Sequence, residues 1–177
     1  MLLGHSMGGK AAMQAALLHP EAIARLIVAD IAPVPYPPHL RPVAQAMAAL
    51  PLQPNMTRGQ ADAALADAVP EAGMRAFLLQ NLMLGAAPAW RIGIEQVIAG
   101  FADIEAWEAP AGARYTGPAL FIAGASSNYI KPEHRPAIRA LFPNARFVTL
   151  KNAGHWLHAD NPAGFIGVVE AFLTAPR

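Results

Sequence analysis

The chain has 177 residues, enough for a domain with a real hydrophobic core. It is 54% hydrophobic and 14% charged, with a net charge of +1 and no basic run, which argues for a globular fold and against disorder or a nucleic-acid partner. Without cysteine it can build neither disulfides nor Cys-zinc sites, and with no span-length apolar run or signal-peptide pattern the expectation is a cytoplasmic protein with no membrane partner.

Met1-Leu2-Leu3 reads as the end of a buried strand. It is shorter than the ~5–6 residues of a typical strand, so the chain is expected to begin inside a structural element. Gly4-His5-Ser6-Met7-Gly8-Gly9-Lys10 follows, and a helix rich in small residues runs over 7–18. Gly4-x-Ser6-x-Gly8 between strand and helix is a nucleophile-elbow pattern. It places Ser6 on a strained turn, with Gly4 and Gly8 where a Cβ would collide with the crossing strand and helix. The Met7 N–H, at the helix start, is the oxyanion donor. The same stretch, read as Gly4-x-x-x-x-Gly9-Lys10, nearly matches a phosphate loop, with Ala11 where Ser or Thr should bind magnesium. Leu26–Asp30 could supply the acidic strand of such a nucleotide-binding protein.

His19-Pro20-Glu21 ends the first helix, since proline cannot continue it. Leu26-Ile27-Val28-Ala29 is a continuous apolar run, as in a parallel strand covered on both faces. Asp30 stands at its carboxyl end, where ligand and catalytic groups collect in open α/β sheets. The proline-rich stretch 31–38 must be extended. From 40 to 107 the pattern predicts helices without strands, at 41–50, 58–68, 71–83 and 91–106, the second opened by a Thr57-x-x-Gln60 capping box. This block reads as a helical cap, 31–113, inserted between core segments 1–30 and 114–177. Met47, Met56, Met74, Phe77, Leu78, Met83 and Trp90 either line an acyl pocket or pack helix on helix, and methionine suits both roles. Trp90 and, later, Trp156 are the candidate substrate-binding residues.

A Pro/Gly-containing linker at 108–117 leads to a buried strand at 119–123, ended by Gly124. Pro132 starts a helix over 133–141, and 146–150 alternates as an edge-side strand does. Residues 152–156 form a loop, and Asn161 caps a last helix over 162–173 with Pro162 in its first turn. The fold class is α/β with a mostly parallel sheet.

An acyl-transfer serine needs a base to take its proton and an acid to orient that base. In proteins with this elbow the chain order is Ser, Asp or Glu, His. His155, in a Gly-His-Trp loop after the final strand, is the base, and no other of the six histidines lies in such a loop. His19, His39 and His134 read as surface or helix-end residues, while His5 and His158 flank the site without an assigned job. The usual place for the acid, three residues beyond Gly124, holds Ser127, which cannot carry negative charge. Asp30 is the preferred acid, with Glu133 and Asp160 as alternatives.

Leu3-Gly4-His5-Ser6-Met7-Gly8-Gly9-Lys10-Ala11, Asp30-Ile31-Ala32-Pro33, Trp90-Arg91, Ser127-Asn128-Tyr129 and Gly154-His155-Trp156-Leu157-His158-Ala159 together resemble the YbfF-type esterases. These are α/β-hydrolases related to the mammalian abhydrolase-domain proteins. The resemblance spans essentially the whole chain and implies a helical cap and activity on short acyl esters or thioesters, with no cofactor or metal. It makes Ser6 the nucleophile, His155 the base and Asp30 the acid, with Ser127 added to the hydrogen-bonded group. Gly93 departs from it, standing where a polar residue is expected. The resemblance also implies strands, helices and a His-Gly-rich loop ahead of the elbow. The chain then corresponds to strands 5–8 of the sheet plus the cap, with the nucleophile strand as an apolar edge. Two expectations follow: an esterase whose true start lies upstream of Met1, or a truncated fragment without catalysis. The phosphate-loop reading loses ground to this one, because Ala11 cannot ligate magnesium, the acidic strand follows too closely and the Gly-His-Trp loop is left unexplained.

Overall fold

The structure, a computed structural model, describes residues 1–38 and 40–176, so the placement expected for His39 lies outside the described residues. In chain order the elements are β1 (Leu2–His5), α1 (Met7–Leu18), β2 (Leu26–Ala29), α2 (Arg41–Ala49), α3 (Arg58–Leu65) and α4 (Ala72–Leu79). There follow β3 (Leu82–Met83), β4 (Ala89–Trp90), α5 (Ile94–Ala99) and α6 (Phe101–Glu105). The chain continues with β5 (Ala119–Gly124), α7 (Arg135–Leu141), β6 (Ala145–Leu150), α8 (Leu157–Asp160) and α9 (Pro162–Thr174). Two compact units result: Met1–Pro35 with Ala106–Arg177, and Tyr36–Glu105.

The first unit is built on a parallel sheet of order β1-β2-β5-β6. The register pairs Gly4 with Val28, Val28 with Phe121 and Phe121 with Phe147. Because all four strands run the same way, His5, Ala29, Gly124 and Leu150 end at one edge of the sheet, where loops can gather functional groups. β2 is buried at every position, as its unbroken apolar run requires of a strand covered on both faces. Alternation along the strands sends Ile27, Ala29, Leu120 and Ile122 to one face. There they pack with Leu150, Ala153, Leu157 and Phe172 against the apolar side of α9. Phe121 points the other way and meets Phe142 and Phe147, with ring centroids 5.5 and 5.9 Å apart. β1 occupies an edge of the sheet, and Leu3 on it is 45% exposed.

Arg25, which enters β2, is buried and ties the last helix to the sheet. Its guanidinium donates to the carbonyls of Phe172 at 2.9 Å and Ala175 at 2.5 Å, satisfying acceptors at the end of α9 that have no helical partner.

The second unit packs Leu50, Ala61, Leu65, Leu79 and Leu82 with Met56 and Trp90. The Thr57 capping box is present in full: Thr57 Oγ1 accepts from Gln60 N at 3.2 Å, and Gln60 Oε1 accepts from Thr57 N at 2.8 Å. Both ends of the unit meet at a backbone hydrogen bond, Tyr36 N donating to Glu105 O at 2.9 Å.

Several elements differ from the sequence expectation: the helix expected at 58–68 ends at Leu65, and the one expected at 71–83 runs over Ala72–Leu79. The block is not free of strands, because β3 and β4 pair antiparallel across a turn in which Gly85 has φ 126°. Two-residue strands are too short to show a period. The helix expected at 91–106 is broken at Gly100, which caps α5 before α6 begins. The helix expected at 133–141 opens as a 3-10 turn, Pro132–His134, before α7. The stretch after His155 winds into α8, which periodicity cannot register over four residues.

Candidate active site

Ser6 sits between β1 and α1 with φ 54° and ψ −124°, a strained conformation for a residue with a side chain, worth about 1–3 kcal/mol. The turn around it holds the strain. Ser6 N donates to Ala29 O at 3.0 Å, and Ser6 O accepts from Gly9 N at 2.8 Å and Lys10 N at 3.2 Å. A Cβ on Gly4 would strike the Gly8 carbonyl, so glycine is obligatory there. The expectation for Gly8 does not hold, since a Cβ on it meets nothing within 4 Å. The crowded position is Gly9, where a Cβ would come 2.5 Å from Ile31 Cγ2 and 3.2 Å from Val28 Cγ1. α1 lays Gly9, not Gly8, against β2.

Asp30 follows β2 in a left-handed conformation, φ 51°, and is wholly buried. Its carboxylate is fully engaged. Oδ1 accepts from Gly124 N at 3.1 Å, and Oδ2 accepts from Ser127 Oγ and, at 2.8 Å, from His155 Nδ1. On the far side of that ring, His155 Nε2 lies 3.0 Å from Ser6 Oγ. A carboxylate facing Nδ1 assigns the proton to that nitrogen, which leaves Nε2 to accept from the serine hydroxyl. Ser6, His155, Asp30 and Ser127 therefore form one chain of hydrogen bonds drawn from four segments of the first unit. The loop bearing His155 is held close to β5: a Cβ on Gly124 would strike the Gly154 carbonyl and lie 2.8 Å from that of Ala153. Of the other acids weighed, Asp160 is committed to the Gly154 N–H at 2.7 Å and Glu133 is exposed in the 3-10 turn.

Two rings that sequence reasoning left without a role flank the imidazole, and a third lies behind one of them. Tyr129 stacks on His155 with centroids 4.0 Å apart and planes at 24°. His5 packs on it at 4.7 Å, and His158 lies edge-on to His5 at 5.0 Å. His5 Nε2 donates to the His155 carbonyl at 2.7 Å. Burial lowers the His5 pKa, with the His155 hydrogen bond opposing the shift and the nearby His155 and His158 adding to it. Burial raises the Tyr129 pKa, helped by the Asp30 charge. The signals available beforehand were adjacency to Ser6 and Ser127, which carry no information about ring contact.

Met7 is the first residue of α1, so its N–H has no acceptor within the helix. Trp156 is half-buried, and its carbonyl accepts from Ala159 N and Asp160 N at 2.7 and 2.9 Å. Trp90 belongs to the second unit, where its ring joins the core and its indole N–H donates to Met47 O at 3.1 Å. Met47 is buried there, whereas Phe77 and Met83 are exposed. Lys10, which a phosphate loop would aim at its ligand, is buried and donates to Ala106 O at 2.8 Å. Among the described residues no helix is long and apolar enough to cross a membrane.

A family model described as alpha/beta hydrolase fold matches residues 1–162. The sn-1-specific diacylglycerol lipase ABHD11 of Mus musculus is 40% identical over 180 residues, which cover 98% of this chain and 58% of the mouse protein. Esterase YbfF of Escherichia coli strain K12 is 35% identical over 175 residues, 97% of this chain and 66% of that protein. A solved structure named as a marine microorganism esterase superposes with a TM-score of 0.91 at 33% identity, covering 96% of this chain and 68% of that one. The chain thus spans less than two thirds of the mouse relative's length.

Proposed function

The chain belongs to the α/β-hydrolase family, and on that premise we propose that its Ser6–His155–Asp30 relay hydrolyses acyl esters or acyl thioesters. The observation that carries the reading is the alignment of two hydrogen bonds on one imidazole, 3.0 Å from Nε2 to Ser6 Oγ and 2.8 Å from Nδ1 to Asp30 Oδ2. Relatives named as esterases and lipases support the ester as substrate class.

In the mechanism, Ser6 Oγ attacks the acyl carbon while its proton passes to His155 Nε2. The carbonyl oxygen becomes an oxyanion within reach of the Met7 N–H, a donor whose loss costs about 10²–10³ in kcat in comparable sites. His155 then gives its proton to the departing alkoxide or thiolate, leaving an acyl ester on Ser6. A water molecule, deprotonated by His155, releases the acid and restores the serine. Asp30 keeps the imidazole in its productive tautomer and stabilises it when charged, and Ser127 donates to the same carboxylate oxygen. Trp156, next to His155 in the chain and half-buried, is the substrate contact proposed in this unit.

A panel of p-nitrophenyl esters and acyl thioesters tests this. Turnover of short esters that disappears in Ser6→Ala is the expected result, and turnover that persists in that variant would overturn it.

A further inference from the structure

We propose that Tyr129 is a positioning residue for His155, its ring face stabilising the imidazolium that forms when Ser6 gives up its proton. The inference rests on the hydrolase reading above and adds a residue to it.

The contact is face to face: the centroids are 4.0 Å apart and the planes depart from parallel by 24°. A cation over an aromatic face is attracted to the negative side of the ring, whereas a neutral imidazole gains only ordinary stacking. The attraction therefore grows as the proton arrives, which is the condition for lowering a barrier rather than merely tightening the resting state.

The backbone that carries the ring is tied to the relay it serves. Tyr129 N donates to Ser127 Oγ at 3.2 Å, and Ser127 Oγ in turn donates to Asp30. On the other side, His134 Nδ1 lies 3.1 Å from the Tyr129 carbonyl. One turn after β5 thus delivers a hydroxyl to the acid and an aromatic face to the base.

The other groups facing the imidazole are the Asp30 carboxylate at Nδ1, the Ser6 hydroxyl at Nε2 and the His5 ring, behind which lies His158. Burial keeps the Tyr129 phenol protonated, so no phenolate competes with Asp30 for the proton on Nδ1. His5 is tilted by 40° on the imidazole and spends its Nε2 proton on the His155 carbonyl, so it fixes the loop rather than offering a π face.

Two kinds of substitution separate an aromatic face from simple bulk. Tyr129→Phe keeps the face, while Tyr129→Leu and Tyr129→Met keep apolar volume without it. With p-nitrophenyl butyrate, Tyr129→Phe is expected to retain kcat within about twofold. Either aliphatic variant should lose roughly 3- to 30-fold in kcat, the range of a cation–π contact, with KM nearly unchanged. Equal losses in Phe and the aliphatic variants, or none in the latter, would overturn the inference. A chain without measurable turnover would count against the hydrolase reading, and the stack is then decided by proton NMR. Upfield-displaced His155 ring signals that persist in Tyr129→Phe and revert in Tyr129→Met support it, and undisplaced signals in the unsubstituted chain overturn it.

Discussion

Asp30 is asked to do two things at one oxygen: accept the proton-bearing face of His155 and accept the hydroxyl of Ser127. Asp30→Asn keeps the shape but presents an amide that can offer Nδ1 an N–H where it needs an acceptor. The imidazole then turns to the wrong tautomer, and kcat is expected to fall by about 10⁴, the size of that change in a serine protease triad. Steady-state kinetics on a short ester measures it, and a larger loss from Glu133→Gln would move the acid elsewhere. Ser6, His155 and Asp30 were legible in the sequence because chain order, strand ends and the missing charge at Ser127 are one-dimensional facts, whereas the place of Ser127 beside them came from the family resemblance alone. Tyr129 and His5 were not, since stacking depends on where two loops meet. The exchange of Gly9 for Gly8 as the crowded glycine has the same origin: it depends on the phase with which α1 lands on β2.

At the scale of elements, burial explains what could be read and what could not. β2 and β5 announce themselves as apolar runs because both their faces are covered. β3 and β4 have two residues each, and α8 has four, so neither a period of 2 nor one of 3.6 can develop. The attachment of α9 to the sheet is another feature without a sequence signature, resting on Arg25 and two carbonyls 147 and 150 residues away. Arg25 also lies over the Phe172 ring, 5.5 Å from its centroid. Arg25→Met keeps the aliphatic stem but leaves both carbonyls without their donor. We expect it to cost about 2–4 kcal/mol, from two charge-assisted hydrogen bonds lost in a buried setting. Urea unfolding gives the value, and an unchanged midpoint would mean that α9 is held by its apolar face alone.

For the molecule as a whole, His5 links stability to pH. Its folded pKa lies below the ordinary 6.5, mainly because the ring is buried. Between those two values the unfolded chain binds the proton more readily than the folded one, so stability rises with pH across that window. The contribution is complete above 6.5 and is lost as pH falls through the lowered folded value. The urea midpoint should therefore drop as the pH is lowered below the ordinary 6.5, and drop less in His5→Gln, which retains an N–H for the His155 carbonyl. Equal drops in both proteins would assign the dependence to other groups.

Every functional assignment depends on whether Ser6 is a reactive nucleophile in this 177-residue chain. Exposure to a fluorophosphonate followed by intact-mass and peptide mapping tests this directly, without any choice of substrate. The account predicts one adduct, on Ser6, absent from Ser6→Ala and formed far more slowly in His155→Gln. No adduct on the unsubstituted chain, or the same adduct in Ser6→Ala, would contradict it.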